Sequence, residues 1–364
     1  MQNAECRMQN EELRGVDSAL CALSSGISIT VVVSSLLACA PTYVPTPTPT
    51  TAVPASVPVA TPPTVVAPVD ARPREGEIDG TAGKLFVRMI GRGADTVLVP
   101  LGSWFEPVLS PLGATHTVVF YDPRHRGRSH PFVDTTAATF GGDIDDLEAV
   151  RTAIGASRVS IIGYDYYAAV AAAYAAANPQ RVNRLVLLSP IEPNDSLAST
   201  FNPAERMARL DTVAARALVK ARAAGRDTTD AVRYCEDFWR VNVRLFVGDT
   251  VKASSINPTW CQLPNESPAR IAMATERVMS SLGPGIDFSS RAAGVQSPTL
   301  VMHGRLDLVA NPEGAREWTR WIRGARLLWL SNVGHMAPWE DGPTVISAID
   351  DFLGGSWPTR AVPP

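Results

Sequence analysis

Residues 161 to 168 read Ile161-Ile162-Gly163-Tyr164-Asp165-Tyr166-Tyr167-Ala168. An apolar, β-rich run from Val159 to Tyr164 ends here, and an alanine-rich helical run from Tyr167 to Ala177 begins. The chain passes from strand to helix through a very short turn with Asp165 at its apex. Gly163 lies two residues before that apex and Ala168 three after, and small residues are needed wherever a strand and a helix approach this closely.

Outward from this junction the same alternation repeats. Strands are expected at Leu85 to Ile90, Thr96 to Leu101, Thr117 to Asp122, Arg184 to Pro190, Pro298 to His303 and Ala325 to Ser331. Several are continuous Val/Ile/Leu runs, the pattern of strands buried on both faces. Helices are expected at Asp143 to Ile154, Pro312 to Arg323 and Pro343 to Leu353. Alternating β and α predicts an α/β fold with a mostly parallel sheet flanked by helices. The core is expected over residues 76–191 and 297–357. Between them, residues 192–296 lack strand signal and hold three helical segments, Pro203 to Gly225, Thr229 to Val247 and Pro268 to Leu282. An all-helical insertion of this kind is expected to form a lid over one edge of the sheet.

The chain has 364 residues, with 33 Lys plus Arg against 36 Asp plus Glu. A net charge of -3 argues against a general nucleic-acid binder. Residues 41 to 73 hold ten of the thirty prolines, interleaved with Thr, Val and Ala, so residues 40–75 are expected to be an extended linker. Before it, residues 27 to 38 form an uncharged apolar run that ends at Cys39. Leu36-Leu37-Ala38-Cys39 resembles a bacterial lipobox, in which the cysteine is lipidated and becomes the mature N-terminus. Residues 1–39 are therefore expected to be a lipoprotein-type signal, or a membrane anchor reaching back to Ala19, and the folded part to lie outside the cytoplasm. Residues 1 to 22 are not basic, which departs from the usual signal pattern. Removal of the signal leaves Cys235 and Cys261 in the folded part. Outside the cytoplasm such a pair can form a disulfide, or the two can be separate small buried residues.

Two further strand ends carry polar groups. Pro298-Thr299-Leu300-Val301-Met302-His303-Gly304-Arg305-Leu306-Asp307 is a buried strand that ends in His-Gly and then presents Asp307. Ser331-Asn332-Val333-Gly334-His335 follows the next strand and puts a histidine 28 residues after Asp307. Together with the Asp165 turn, these segments resemble the α/β-hydrolase family, in which a nucleophile elbow, an acid and a histidine follow in this chain order. Val99-Pro100-Leu101-Gly102-Ser103-Trp104 is similar to the family's His-Gly oxyanion loop, with Leu101 in place of His. Val119-Phe120-Tyr121-Asp122-Pro123-Arg124-His125-Arg126-Gly127-Arg128-Ser129 is similar to its DxRGxGxS turn, with His125 in place of a Gly. Within the family, these segments most resemble the proline-iminopeptidase-like and esterase-like branch.

The resemblance implies a triad of Asp165, Asp307 and His335, with an oxyanion hole from the backbone N–H groups of Ser103 and Tyr166. The commoner apex residue is Ser. A carboxylate is ionised at neutral pH without help from a base, and it is a poor nucleophile toward esters, because the anhydride it forms reverts. It works at sp3 carbons with good leaving groups, as in the epoxide hydrolases and haloalkane dehalogenases of this fold. The expected substrate is a small apolar molecule of that type. Trp104 and Tyr234 are candidates for contacting it, although neither subclass's leaving-group donors are matched in full. A serine-type ancestor that now binds without turnover, and an esterase- or aminopeptidase-like hydrolase, stay open.

The remaining polar residues suggest structural roles. His116, His125, His130 and His303 have no evident partner. Asp143, Asp145, Asp146 and Glu148 read as the acidic first turn and solvated face of a helix. The glycines of Ile90-Gly91-Arg92-Gly93 lack the strand–GxGxxG–helix context of dinucleotide binding, and no metal, nucleotide or flavin cofactor is expected. The expected partners are a small-molecule substrate and, through the N-terminus, a membrane.

Overall fold

The structure is a computed structural model that describes residues 74–131, 134–194, 203–283 and 287–364. Cys39, the expected signal and residues 40–73 of the expected linker lie outside these residues, and the last linker residue, Glu75, instead begins the first strand.

Eight strands form one sheet: β1 (Glu75–Gly80), β2 (Gly83–Ile90), β3 (Thr96–Pro100), β4 (Thr117–Tyr121), β5 (Val159–Tyr164), β6 (Val182–Leu188), β7 (Thr299–Gly304) and β8 (Arg326–Leu330). Their order is β1-β2-β4-β3-β5-β6-β7-β8. The β1–β2 and β2–β4 pairings are antiparallel, and every later one is parallel. Every residue of β3, β4, β5 and β7 is buried, as the apolar runs require of strands covered on both faces.

The covering helices are α1 (Gly102–Leu109), α2 (Phe140–Ala153), α3 (Tyr166–Ala177), α8 (Pro312–Trp321) and α9 (Gly342–Leu353). Helices α2 and α3 pack together, as do α1 and α9. Trp318, the Trp of α8 nearest the sheet, is fully buried and donates Nε1–H to Ile191 O at 2.7 Å. The insertion after β6 forms the helical cap: α4 (Pro203–Arg209), α5 (Thr212–Ala223), α6 (Ala231–Phe246) and α7 (Pro268–Leu282). The single helix expected from Pro203 to Gly225 is divided in two. Asp211 takes extended backbone and its carboxylate accepts the N–H groups of Val213 and Ala214, so it caps α5 and ends α4.

Two elements are additional to the expectation. β1 is a short, glycine-bearing edge strand without an apolar run, and α1 begins with Gly102 and contains Pro107, so neither carries its propensity in sequence. The core also runs past residue 357, because Val362 exchanges both backbone hydrogen bonds with Leu327 of β8, at 2.7 and 2.9 Å. Among the described residues, no helix is long and apolar enough to cross a membrane.

Candidate active site

Five non-glycine residues have positive φ among the described residues: Leu101, His125, Asp165, Ser189 and Asn332. Each follows the C-terminal end of a parallel strand, β3, β4, β5, β6 and β8 in turn. Backbone strain is thus gathered on one rim of the sheet, the rim where open α/β sheets bind ligands. Asp165, at φ 51 and ψ -124, is the turn between β5 and α3. The turn is as tight as the sequence suggests: a Cβ on Gly163 would come within 2.5 Å of Tyr167 O and 2.7 Å of the Ala168 Cα.

The rim brings the three expected side chains together. His335 Nδ1 lies 2.8 Å from Asp307 Oδ2, and His335 Nε2 lies 3.8 Å from Asp165 Oδ1. Asp307 and His335 are almost wholly buried, whereas the Asp165 side chain keeps 30% of its exposure. Its Oδ1 is nonetheless buried and accepts no hydrogen bond. Asp307 Oδ1 accepts the N–H groups of Val309 and Ala310 at 2.8 and 3.0 Å. Burial alone would push the Asp307 carboxyl up. The facing His335 charge and the His303 and His335 hydrogen bonds overcome it and hold Asp307 well below the usual carboxylate range. Burial opposes the His335 imidazolium, but Asp307 and then Asp165 favour it, and its affinity for a proton is raised. Burial raises Asp165, against the pull of His335.

The histidine loop is tied to the cap. His335 N–H and Met336 N–H both donate to Phe246 O, at the end of α6, at 2.8 and 3.0 Å. Glu340 accepts from Gly334 N at 2.8 Å and from Gly248 N at 2.7 Å, bridging the two segments. Ser189 Oγ donates to His335 O at 3.0 Å.

The oxyanion loop differs from expectation. The Ser103 N–H donates to Asp122 Oδ1 at 2.8 Å, and its hydroxyl to Asp122 Oδ2 at 2.5 Å. The Ser103 amide is therefore already taken by a buried carboxylate, while Tyr166 N–H lies beside the Asp165 carboxylate and favours its ionised form. Trp104 stands in the cap interface. It stacks on Trp260 at 4.4 Å and meets Trp239 edge-on at 5.4 Å. Tyr234 is buried within the cap, where its charged neighbours are Arg222 and Asp227, and the structure does not bring it to the triad.

A circuit of ring contacts runs from the triad into the cap. His335 touches Tyr164, then come Phe105, Trp339, Trp260, Trp239 and Phe246, which returns to His335; successive centroids are 4.9 to 6.3 Å apart. Of the lid aromatics, Phe246 meets the imidazole directly, and Trp239 and Trp260 pack behind it. Trp260 Nε1 is buried and makes no hydrogen bond.

Three sequence expectations are corrected here. Asp143 and Asp146 are buried rather than solvated. Asp146 binds the Arg124 guanidinium, with Nε at 2.9 Å, and Asp143 accepts the Tyr166 hydroxyl at 2.7 Å. Burial pushes Asp143 up to about 7. His303, expected to have no partner, lies 3.1 Å from Asp307 Oδ2. His116 and His130 also have carboxylate neighbours, Asp350 at 3.0 Å and Glu77 at 3.2 Å, both away from the rim. Burial, then the flanking Arg124 and Arg126 charges, lower His125 to about 2. The Cys235 and Cys261 pair forms a disulfide within the cap, with Cα atoms 5.6 Å apart.

Comparison with known proteins agrees with this geometry. The profile of the alpha/beta hydrolase fold family matches residues 98–342. A 2-hydroxy-6-oxononadienedioate/2-hydroxy-6-oxononatrienedioate hydrolase from Pseudomonas putida is 28% identical over 306 residues, covering 78% of this chain and 95% of that protein. A 2-hydroxy-6-oxononadienedioate/2-hydroxy-6-oxononatrienedioate hydrolase from Cupriavidus pinatubonensis is 27% identical, covering 72% of this chain and 88% of its own. Among solved structures, the enol-lactonase from Burkholderia xenovorans superposes with a TM-score of 0.56 at 20% identity, covering 77% of this chain and all of that one. An esterase from Exiguobacterium antarcticum gives 0.59 at 16% identity, covering 77% and 99%. With the family profile spanning more than half of its length, the chain belongs to the alpha/beta hydrolase fold family, and it is a hydrolase of that superfamily.

Proposed function

We propose that the protein hydrolyses a small apolar substrate at an sp3 electrophilic carbon, an epoxide or a haloalkane, with Asp165 as nucleophile. One observation carries this reading: a carboxylate at the strained elbow, its buried Oδ1 free of hydrogen bonds and 3.8 Å from the His335 Nε2. In the first step an Asp165 oxygen attacks carbon, forming an ester bond as the bond to halide or epoxide oxygen breaks and its electron pair leaves with that atom. In the second step His335, oriented by Asp307, takes a proton from water, whose oxygen attacks the Asp165 ester carbon. His335 passes its proton to the departing alcohol oxygen as the ester C–O bond breaks, and the second proton of the water, left on the Asp165 carboxyl, goes to solvent beside the halide or to the alkoxide of an opened epoxide, which restores the carboxylate.

A second reading, acyl or carbon–carbon bond hydrolysis, is favoured by the likeness to the Pseudomonas putida enzyme. One chemical fact weighs against it: carboxylate attack on a carbonyl gives an anhydride that returns to starting material.

The test is mass spectrometry of the His335→Ala variant after a single exposure to a panel of epoxides and haloalkanes. Removal of the base should trap the ester, and the substrate mass should appear on the peptide that contains Asp165. No adduct with any compound would overturn the nucleophile assignment and leave a non-catalytic binding protein as the better account.

The location proposed is outside the cytoplasm, tethered through lipidated Cys39. The Cys235–Cys261 disulfide supports it, since such bonds persist in oxidising compartments. Labelling of cells with a clickable palmitate should mark the wild-type chain and not Cys39→Ala. Equal labelling of both rules out acylation at that residue.

A further inference from the structure

Asp307 is gripped on both oxygens. Oδ1 holds the two backbone N–H groups already described, and Oδ2 faces two imidazoles, His335 Nδ1 at 2.8 Å and His303 Nε2 at 3.1 Å. His303 lies near the end of β7, four residues before Asp307, with no exposed surface. Its Nε2 also faces Ala310 O at 3.3 Å. Both of these partners are acceptors, so Nε2 must carry the hydrogen. Nδ1 is then a bare lone pair, and it is buried without a hydrogen bond. A histidine kept only for packing would have no reason to aim Nε2 at a buried carboxylate while Nδ1 stays unpaired.

We propose that His303 is a positioning residue: by donating to the Asp307 oxygen that orients His335, it fixes the plane of that carboxylate and draws off part of the charge that would make His335 too basic. The inference rests on His335 and Asp307 being the working base and its orienting acid. It does not depend on the nature of the nucleophile.

The surroundings show why such a device is useful. Asp307, Asp165 and Glu192 all favour a proton on His335. Glu340 adds a further carboxylate behind the loop, bound to Gly334 N–H. Arg206, from α4, is a cation facing Glu192 and Asp307, and the Arg126 charge acts on Asp165. A base that must accept a proton from water in each cycle cannot begin the cycle protonated. A second donor on Asp307 Oδ2 weakens the strongest of these pulls, because charge shared between two hydrogen bonds attracts each imidazole less. Asp307 itself stays ionised without His303, since it keeps the Val309 and Ala310 N–H groups and the His335 contact.

The test is a titration of His335 by NMR in the full chain labelled with 15N in its imidazoles. Replacement His303→Leu fills similar space without a donor, and the His335 midpoint should rise by about half a unit, roughly threefold in proton affinity. His303→Gln restores a side-chain N–H and should bring the midpoint back toward wild type. The wild-type spectrum should show His303 as the Nε2–H tautomer, a reading that needs no variant and stands even where His303→Leu fails to fold. An unmoved or lowered midpoint in folded His303→Leu, or a His303 protonated on Nδ1 alone, overturns the proposal. Failure here leaves the Asp165 adduct experiment untouched, and absence of an adduct there leaves this titration untouched.

Discussion

Glu266 of the cap and Arg126 of the core form a two-pronged ion pair, Nε to Oε1 and Nη2 to Oε2, both at 2.9 Å. The Glu266 carboxylate is fully buried, and it also accepts Gly127 N–H at 2.7 Å and Trp104 Nε1–H at 2.9 Å. One side chain therefore fastens the cap to the turn after β4 and to the tryptophan beside the oxyanion loop. Breaking a buried pair by deleting one partner leaves the other charge without compensation, a loss of about 3–5 kcal/mol. Glu266→Ala should lower stability to urea by that amount and expose the cap to limited proteolysis before the core. A loss below about 1 kcal/mol would show that the pair is solvated and the latch absent.

Asp143 should behave in the opposite way. Burial lifts its folded value to about 7, far above that of an unfolded chain. A folded state that holds this proton more tightly is favoured below about pH 4, and the advantage is lost as pH rises from about 4 to 7, above which the fold carries a buried charge. Asp143→Asn keeps an oxygen for the Tyr166 hydroxyl and removes that charge. The variant should match wild type near pH 4 and exceed it near pH 8 by up to about 4 kcal/mol, the linkage value of the shift. Equal stability at both pH values would mean that Asp143 stays charged at no expense, through Arg124 or otherwise.

How much of this was legible in the sequence depends on how far each partner lies along the chain. The triad was readable because each member follows an apolar strand: Asp165 after Val159 to Tyr164, Asp307 after Thr299 to Gly304, and His335 after Arg326 to Leu330. Strand ends in a parallel sheet converge on one rim, so order and spacing carried the geometry. The Glu266 latch was not readable, because its partner Arg126 is 140 residues away and belongs to another element. Asp143 and Asp146 fell on the same ground: an acidic first turn looks solvated until Arg124 and Tyr166 arrive from β4 and α3. The Ser103 amide seemed free for the same reason, with Asp122 closing on it from the neighbouring strand. His303 did carry a local signal, a histidine four residues before an acid at a strand end, and that spacing alone could have marked it.

The Cys235–Cys261 bridge closes a loop of 26 residues inside the cap. Loop-closure entropy for that length corresponds to about 3.5 kcal/mol. Cys235 Sγ also lies 3.5 Å from Glu266 O, so the bridge braces the segment that bears the latch. Reduction, or the Cys235→Ala/Cys261→Ala pair, should lower stability by about 3 kcal/mol and make the segment around Glu266 the first site of proteolysis. A reduced protein as stable and as resistant as the oxidised one would make the bridge incidental.

The contribution of Asp307 to stability should be confined to a window of pH. Its folded value is depressed, so its contribution is present above the unfolded value of about 3.9 and is lost as pH falls through the folded one. The folded value of His335 is raised, so its contribution is complete below the unfolded value of about 6.5 and is lost as pH rises through the folded one. The attraction between them is therefore at full strength from about pH 4 to 6.5. Asp307→Asn removes the charge and keeps the shape. The stability difference between wild type and Asp307→Asn, taken from urea unfolding, should be larger at pH 5.5 than at pH 8.5. A difference that stays constant or grows toward alkaline pH would mean that His335 is neutral throughout and that Asp165 and Asp307 do not hold a proton on it.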